Sequence, residues 1–189
     1  MINKLPPVCM LLLALCVSGY SQAATISFNA GTQDVAIGSN FTLNVLGTGF
    51  PAIVGGGLNL SFNASVLQIS SVSINTSVFE FYTGNGTEEG VLNNVLGTLT
   101  DTSFNTFAGA TGNFTIMTIG FTAVGAGTSL LSLSESSIWV FSDVMGNAIG
   151  SQIVYSPSSI NVSAVPVPAA AWLFGSGLLV LARVLRRKN

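Results

Sequence analysis

The chain has 189 residues, of which only 12 are charged: five Lys or Arg, seven Asp or Glu, and no His. Lys4 is the only base before Arg183, so residues 24–164 carry seven acids, no cation and a charge of −7. A body without Lys or Arg cannot neutralise phosphates, which excludes nucleic-acid binding and the usual clamps of phosphoryl transfer. Without His there is no imidazole base, no Ser-His-Asp triad and no His-ligated zinc site.

In chain order, residues 1–24 read as a secretory signal peptide. Lys4 gives a positive start, Val8–Val17 is a ten-residue apolar run, and Ser21-Gln22-Ala23 places small residues at a cleavage site next to Ala24. Shifting the cut by one residue, to Gln22-Ala23-Ala24, satisfies the same pattern. Ten apolar residues are too few to cross a hydrocarbon core that needs about 20. Both cysteines, Cys9 and Cys16, lie in this segment, so its removal leaves no thiol, disulfide or Cys-ligated metal.

Residues 25–164 are one domain's worth of chain, and helix signals are nearly absent. Short runs rich in Val, Ile, Phe, Thr and Leu alternate between Gly, Asn and Ser clusters, which predicts an all-β sandwich of about nine strands. The predicted strands are 25–29, 41–46, 58–62, 67–74 with a slip in its period, 113–124 with a bulge near Gly120, 130–133, 138–141 and 160–162. Val78–Tyr82 also alternates and is apolar on both faces.

Four constellations are candidates for chemistry. Glu88-Glu89 follows a Gly-rich loop and offers carboxylates to Ca²⁺, although a solvated loop explains the pair more simply. Asp143 with Asn147 is either an oxygen cluster or a hairpin turn, the turn being simpler. Phe79, Phe81, Tyr82 and Trp139 are either a sugar-stacking platform or core with a cover strand. Seven Asn-x-Ser/Thr sequons, at Asn40, Asn59, Asn63, Asn75, Asn85, Asn113 and Asn161, read as neutral polar strand faces. A glycosidase needs two converging carboxylates, and the seven acids share no motif that brings a pair together. We therefore expect no catalytic residues, no metal site and no enzyme.

At the C-terminus, Val165-Pro166-Val167-Pro168 is a stiff extended spacer. Ala169–Ala182 then runs 14 residues without a charge, and Arg183, Arg186, Arg187 and Lys188 close the chain. Extended to Leu185, with Arg183 snorkelling to the headgroups, this is a short transmembrane helix. Its basic end stays cytoplasmic and the body stays outside.

These C-terminal residues carry a resemblance. A Pro motif, a Trp-Leu-Phe-Gly-Ser-Gly-Leu-Leu run and an Arg-Arg-Lys end over residues 165–189 look like the PEP-CTERM sorting signal of polysaccharide-secreting Gram-negative bacteria. The family's Pro-Glu-Pro stands here as Pro166-Val167-Pro168. The resemblance implies recognition by an exosortase, a membrane-embedded cysteine transpeptidase or protease. It would cut near the Pro motif, after transient residence in the inner membrane, and deliver the body to the cell surface or extracellular matrix.

The body carries a second resemblance, to cohesin domains and related carbohydrate-binding modules, which are jelly-roll sandwiches. It rests on the order of Ile37–Val45, Gly56–Ile69, Ile119–Val124, Gly127–Leu133 and Val140–Ile149. Asn63-Ala64 stands where the family has Asp-Pro, and Asn40 where an Asp is common. The implied function is a non-enzymatic structural or binding module associated with exopolysaccharide or another surface protein. The alternatives are a specific dockerin-like or carbohydrate-recognition module and, further off, a carboxylate-based hydrolase.

Overall fold

The computed structural model describes residues 23–83 and 89–164, together with the isolated, exposed Phe174 and Arg183. The signal segment before Ala23, the motif Val165–Pro168 and the basic residues Arg186, Arg187 and Lys188 lie outside them. Among the described residues no helix is long and apolar enough to cross a membrane.

The described body is built from strands. They are β1 (Ala24–Phe28), β2 (Thr32–Ala36), β3 (Asn40–Ser61), β4 (Leu67–Ile74), β5 (Phe81–Tyr82), β6 (Val91–Asn93), β7 (Thr98–Ala123), β8 (Gly127–Glu135), β9 (Ser142–Asp143), β10 (Ile153–Tyr155) and β11 (Ser158–Ser163). A single turn of 3₁₀-helix at Gly150–Gln152 precedes β10.

Two strands organise the rest. β3 has 22 residues and β7 has 26, and they pair antiparallel along nearly their whole length, with several register shifts. Each is too long to stay in one flat layer. The first half of β3 pairs with the second half of β7 (Asn40↔Thr122 to Gly47↔Phe114), and the second half of β3 pairs with the first half of β7 (Gly55↔Asn105 to Ser61↔Thr98). One layer therefore reads β10-β1-β3-β7-β4, and the other β2-β11-β8-β3-β7-β6, with β5 also on β7. The parallel pairs β1–β10 and β2–β11 close the side where the two layers exchange strands.

This layout gives the body two poles. One is made by the bends of β3 and β7, where Gly49 donates to Asn113 Oδ1 and Thr111 donates to the Phe50 carbonyl. The other gathers Gly38, Ala123, Val66 and Val124, tied by Gly38 N–H to Ala123 O and Val124 N–H to Val66 O. β1 starts at the first pole. β11 ends at the second, where Ile37 N–H bonds Ser163 O.

Alternation explains most of the burial. β4 buries Leu67, Ile69, Val72 and Ile74, and the slip expected in its period is a bulge at Ser70, opposite Phe121 and Gly120. The shift between Val45 and Leu46 leaves Ile116 as the extra residue in β7, so Ile116 and Met117 are both buried although adjacent. Below the first pole, five phenylalanines form a closed ring. Phe50–Phe114 centroids are 5.3 Å apart, Phe114–Phe79 5.7 Å, Phe79–Phe104 4.7 Å, Phe104–Phe141 5.7 Å and Phe141–Phe50 5.8 Å. Most of these pairs are tilted or edge-on, the arrangement that ring quadrupoles favour. Gly56 makes the ring possible, because a Cβ there would lie 2.6 Å from the Phe141 ring.

The predicted strand at Ile138–Phe141 does not form. Ser136 Oγ accepts the N–H groups of Ile138 (3.1 Å) and Trp139 (3.2 Å), and Glu135 Oε1 accepts that of Phe141 (2.7 Å). Side chains have taken the donors a strand would offer to a neighbour, so the segment bends and pairing resumes only in β9. The count becomes eleven because β2, β5, β6, β9 and β10 are separate short pieces, while residues 41–46 and 58–62 merge into β3 and 138–141 forms no strand.

Phe104→Ala is expected to cost about 3–5 kcal/mol, the usual range for emptying a buried phenylalanine site. Urea denaturation checks this, and Phe104→Leu should lose markedly less.

Candidate functional site

The acids show how the body uses charge. Asp34 Oδ1 accepts from Asn161 (3.0 Å), Asp101 Oδ1 from Ser136 (2.9 Å), and Glu80 Oε2 from the Phe107 N–H (3.3 Å). Asp143 accepts from the backbone of Met145 and Asn147 (2.8 Å each) and from the Asn147 amide (2.9 Å). Asp143 and Asn147 thus make the hairpin turn. The donors of Asn147 chiefly hold the Asp143 carboxyl below its ordinary pKa, and backbone and Thr106 donors do the same for Glu80.

Glu135 is the tie of the 136–150 segment. Besides holding Phe141, its carboxylate lies against Gly150, where any Cβ would overlap it. Burial, and secondarily this carboxylate, push the Tyr155 phenol well above its ordinary pKa.

Asp101 is the one non-glycine described residue with positive φ, 56°. It occupies a bulge where Thr100 and Asp101 face Asn59, and Asn59 Oδ1 accepts its N–H at 2.8 Å.

Glu89 is different and corrects the solvated-loop reading. It is buried, its Oε2 has no hydrogen-bond partner among the described residues, and burial raises its carboxyl above the ordinary pKa. Glu88 lies outside the described residues. Among the described residues no three acids gather where they could hold a metal ion.

The sequon asparagines are structural at all six described positions. Asn40 takes the Thr122 hydroxyl across β3 and β7 at 2.7 Å, just as Asn44, which is not a sequon, takes that of Thr118 at 2.8 Å. Asn63 and Asn75 form the same turn, each Oδ1 accepting the backbone N–H and the hydroxyl of the Ser two residues on. Asn59, Asn113 and Asn161 bond Glu135 O, Gly49 N–H and Thr128 with Asp34.

Of the proposed stacking platform, Phe79 is core. Phe81, Tyr82 and Trp139 are exposed, but among the described residues neither Trp139 nor Tyr82 makes a ring contact. Phe81 instead packs edge-on to Phe107 at 4.8 Å. Phe107, Val144 and Met145, all exposed, were not singled out by the sequence. Val144 joins them, since a Cβ on Gly109 would lie 3.3 Å from Val144 Cγ1, and its N–H bonds Ala52 O. Together they form an apolar crest at the first pole. Beside it, Ala23, Ala24, Gly49, Phe50, Pro51, Ile149, Gln152 and Ile153 line a cavity of about 440 Å³. Ala24, at the expected cleavage site, is buried and pairs with Ile153.

Comparison with solved structures places this architecture among cohesin-like β-sandwiches. The chain is similar to the seventh ScaB type I cohesin of Pseudobacteroides cellulosolvens, with 17% identity, 77% of this chain and 96% of that one covered, and a TM-score of 0.58. It is similar to a non-cellulosomal cohesin of the hyperthermophilic archaeon Archaeoglobus fulgidus, with 15% identity, coverage of 75% and 92%, and a TM-score of 0.55. A third is the cohesin of a type I cohesin–dockerin complex, Coh-OlpA-Doc918, from Clostridium thermocellum, with 11% identity, coverage of 75% and 100%, and a TM-score of 0.57. No protein-family model matches the chain, and no curated protein does.

Glu89→Gln tests the buried carboxyl. A folded-state pKa above the unfolded value means the folded protein binds the extra proton, so stability rises as pH falls through the raised pKa. The gain is complete below the ordinary carboxyl value. The variant should therefore melt higher than the wild type at about pH 7, and the difference should vanish near about pH 3.5. Thermal melts across pH check it, and a pH-independent difference would refute it.

Proposed function

We propose that the body is a non-enzymatic protein-binding module, exported and then sorted to the cell surface or matrix. The observation that carries the binding reading is the cohesin-like sandwich itself. Solved relatives of this fold include a cohesin held in complex with a dockerin. The use of carboxylates supports the non-enzymatic part. Five of the six described acids take donors of their own chain, which suits them to fixing turns rather than to converging on a substrate.

The delivery part of the proposal comes from the two ends of the chain. Residues 1–24 direct export, with the cut beside Ala23 and Ala24. Residues 165–189 hold the precursor in the inner membrane, and an exosortase-type transpeptidase reads Val165-Pro166-Val167-Pro168. Arg183, Arg186, Arg187 and Lys188 keep the cytoplasmic end in place. The domain limits are then 1–24, 25–164 and 165–189. A Ser-, Thr- and Asn-rich surface with few charges suits a hydrated exopolysaccharide matrix.

A second reading, carbohydrate recognition, draws on the exposed Phe81, Tyr82 and Trp139. Sugar faces stack on such rings, but the three are not gathered in one contact.

In an exosortase-competent host, the product outside the cell should be shorter than the precursor at both ends. Pro166→Ala combined with Pro168→Ala should leave the longer, membrane-bound form. A chain that stays cytoplasmic or at precursor length would sink the delivery part. Calorimetric titration of the exported protein against dockerins and against purified exopolysaccharide decides between the two binding readings.

A further inference from the structure

The crest at the first pole has a specific layout. Phe107 and Met145 are 88% and 84% exposed, and Phe81 and Val144 are 49% and 54% exposed. Phe81 packs on Phe107, and Val144, next to Met145, lies over Gly109 two residues further along β7; exposed apolar side chains grouped in this way mark interaction sites. A carboxylate stands at each side. Glu80 precedes Phe81 and bonds the backbone of Phe107, while Asp143 precedes Val144 and bonds that of Met145. Hydrogen bonds keep both acids ionised, and residues 24–164 contain no Lys or Arg to answer them.

We propose that this crest docks a protein segment whose apolar centre is flanked on both sides by Lys or Arg. The apolar centre would cover Phe81, Phe107, Val144 and Met145, and the flanking cations would meet Glu80 and Asp143. Two features of the body argue for a cationic partner over a second copy. Face to face, two crests would bring like carboxylates together with no cation to separate them. The body's last strand, β11, ends at the opposite pole, where Ile37 N–H bonds Ser163 O, so a tether attached there does not start at the crest. The ring of five phenylalanines beneath fixes both walls, through Phe79 next to Glu80 and Phe141 next to β9. The site is therefore pre-organised, which lowers the ordering cost of binding.

The inference rests on reading the body as a protein-binding module and names the surface and the partner chemistry. The test uses the full chain in zwitterionic nanodiscs, with empty discs subtracted. The probes are a synthetic peptide with a Leu-Phe-Leu centre and Lys flanks, and its twin with Glu flanks. The Lys peptide should bind, weaken as salt is added, and lose at least tenfold with Phe107→Ser. Glu80→Gln with Asp143→Asn keeps an acceptor oxygen for the Phe107, Met145 and Asn147 N–H groups and gives up the Asn147 amide bond to Asp143 Oδ2. It should leave the melting temperature near that of the wild type while flattening the salt dependence. Equal binding of the Glu peptide, or Lys-peptide binding that Phe107→Ser leaves intact, would overturn the proposal. So would a concentration-dependent dimer, seen by sedimentation, that the same substitution abolishes. Dockerin or glycan binding that survives Phe107→Ser would overturn the crest alone and leave the binding-module reading standing.

Discussion

The closed ring formed by Phe50, Phe79, Phe104, Phe114 and Phe141 is the interaction on which the rest of the body depends. Its members come from the bend of β3, both halves of β7, the approach to β5 and the approach to β9. Two of the rings, Phe79 and Phe141, belong to segments that ordinary strand pairing holds only weakly, because the adjoining β5 and β9 have two residues each. Two-residue strands contribute too few hydrogen bonds to fix a loop. The buried aromatic area does so instead, at 150–250 Å² for a typical aromatic side chain. The same ring explains why β3 carries Gly56 in mid-strand, where glycine normally weakens a strand. A Cβ at Gly57 would lie 2.5 Å from that of Trp139, so the 136–150 segment can cross only over bare backbone.

Strand identity was legible wherever one face is buried and the other wet. β1, β4, β8 and β11 alternate cleanly, and the slip in β4 was visible as a break in period. β2 was not legible, because Thr32-Gln33-Asp34-Val35-Ala36 sits at an edge with no fully buried residue to mark a period. Residues 98–112 were missed because their small and polar residues, including the buried Thr102, Ser103 and Thr106, carry no apolar alternation. Ile138–Phe141 looked like a strand from its residues alone. The hydrogen bonds that bend it come from Ser136 and Glu135, just before the run, and pattern reading does not weigh such bonds. Of the crest, Phe81 was noted within an alternating run. Phe107 stands between Thr106 and Ala108-Gly109 without periodic support, and its exposure follows from the bend of β7, a tertiary feature.

Asparagine and the hydroxyl residues hold together parts of this body that salt bridges hold elsewhere. Surface ion pairs are worth little in any case, about 0–1 kcal/mol, so a body without cations loses little stability. It gains directional side-chain bonds such as Asn44–Thr118 and Asn40–Thr122, which lie directly across β3 and β7 and fix their register. Asn94 goes further. Its amide accepts the Ile69 N–H at 2.8 Å and donates to the Ile69 carbonyl at 2.9 Å, standing in for a neighbouring peptide on β4. Among the described strands β4 pairs only with β7, and it has no charge to blunt it, so this plug and the Ser70 bulge interrupt an edge that would otherwise invite another strand.

The placement of charge then follows from what each acid must hold. Five described carboxylates satisfy donors of turns or neighbouring strands, and Glu135 alone secures the start of the longest excursion outside the sheets. An ionised carboxylate accepts stronger hydrogen bonds than a neutral one. Glu89 breaks the rule, buried and with Oε2 unpartnered among the described residues, beside Gly90, whose φ of 102° and tight approach to the Thr102 backbone leave no room for a side chain. The sequence disguised it as half of a solvated acidic pair. Its cost in the folded state is borne by the pairing of β6 with β7, which continues directly from Gly90. Charge in this body is therefore an internal fastening first, and only at Glu80 and Asp143, beside exposed apolar side chains, does the same fastening also face outward.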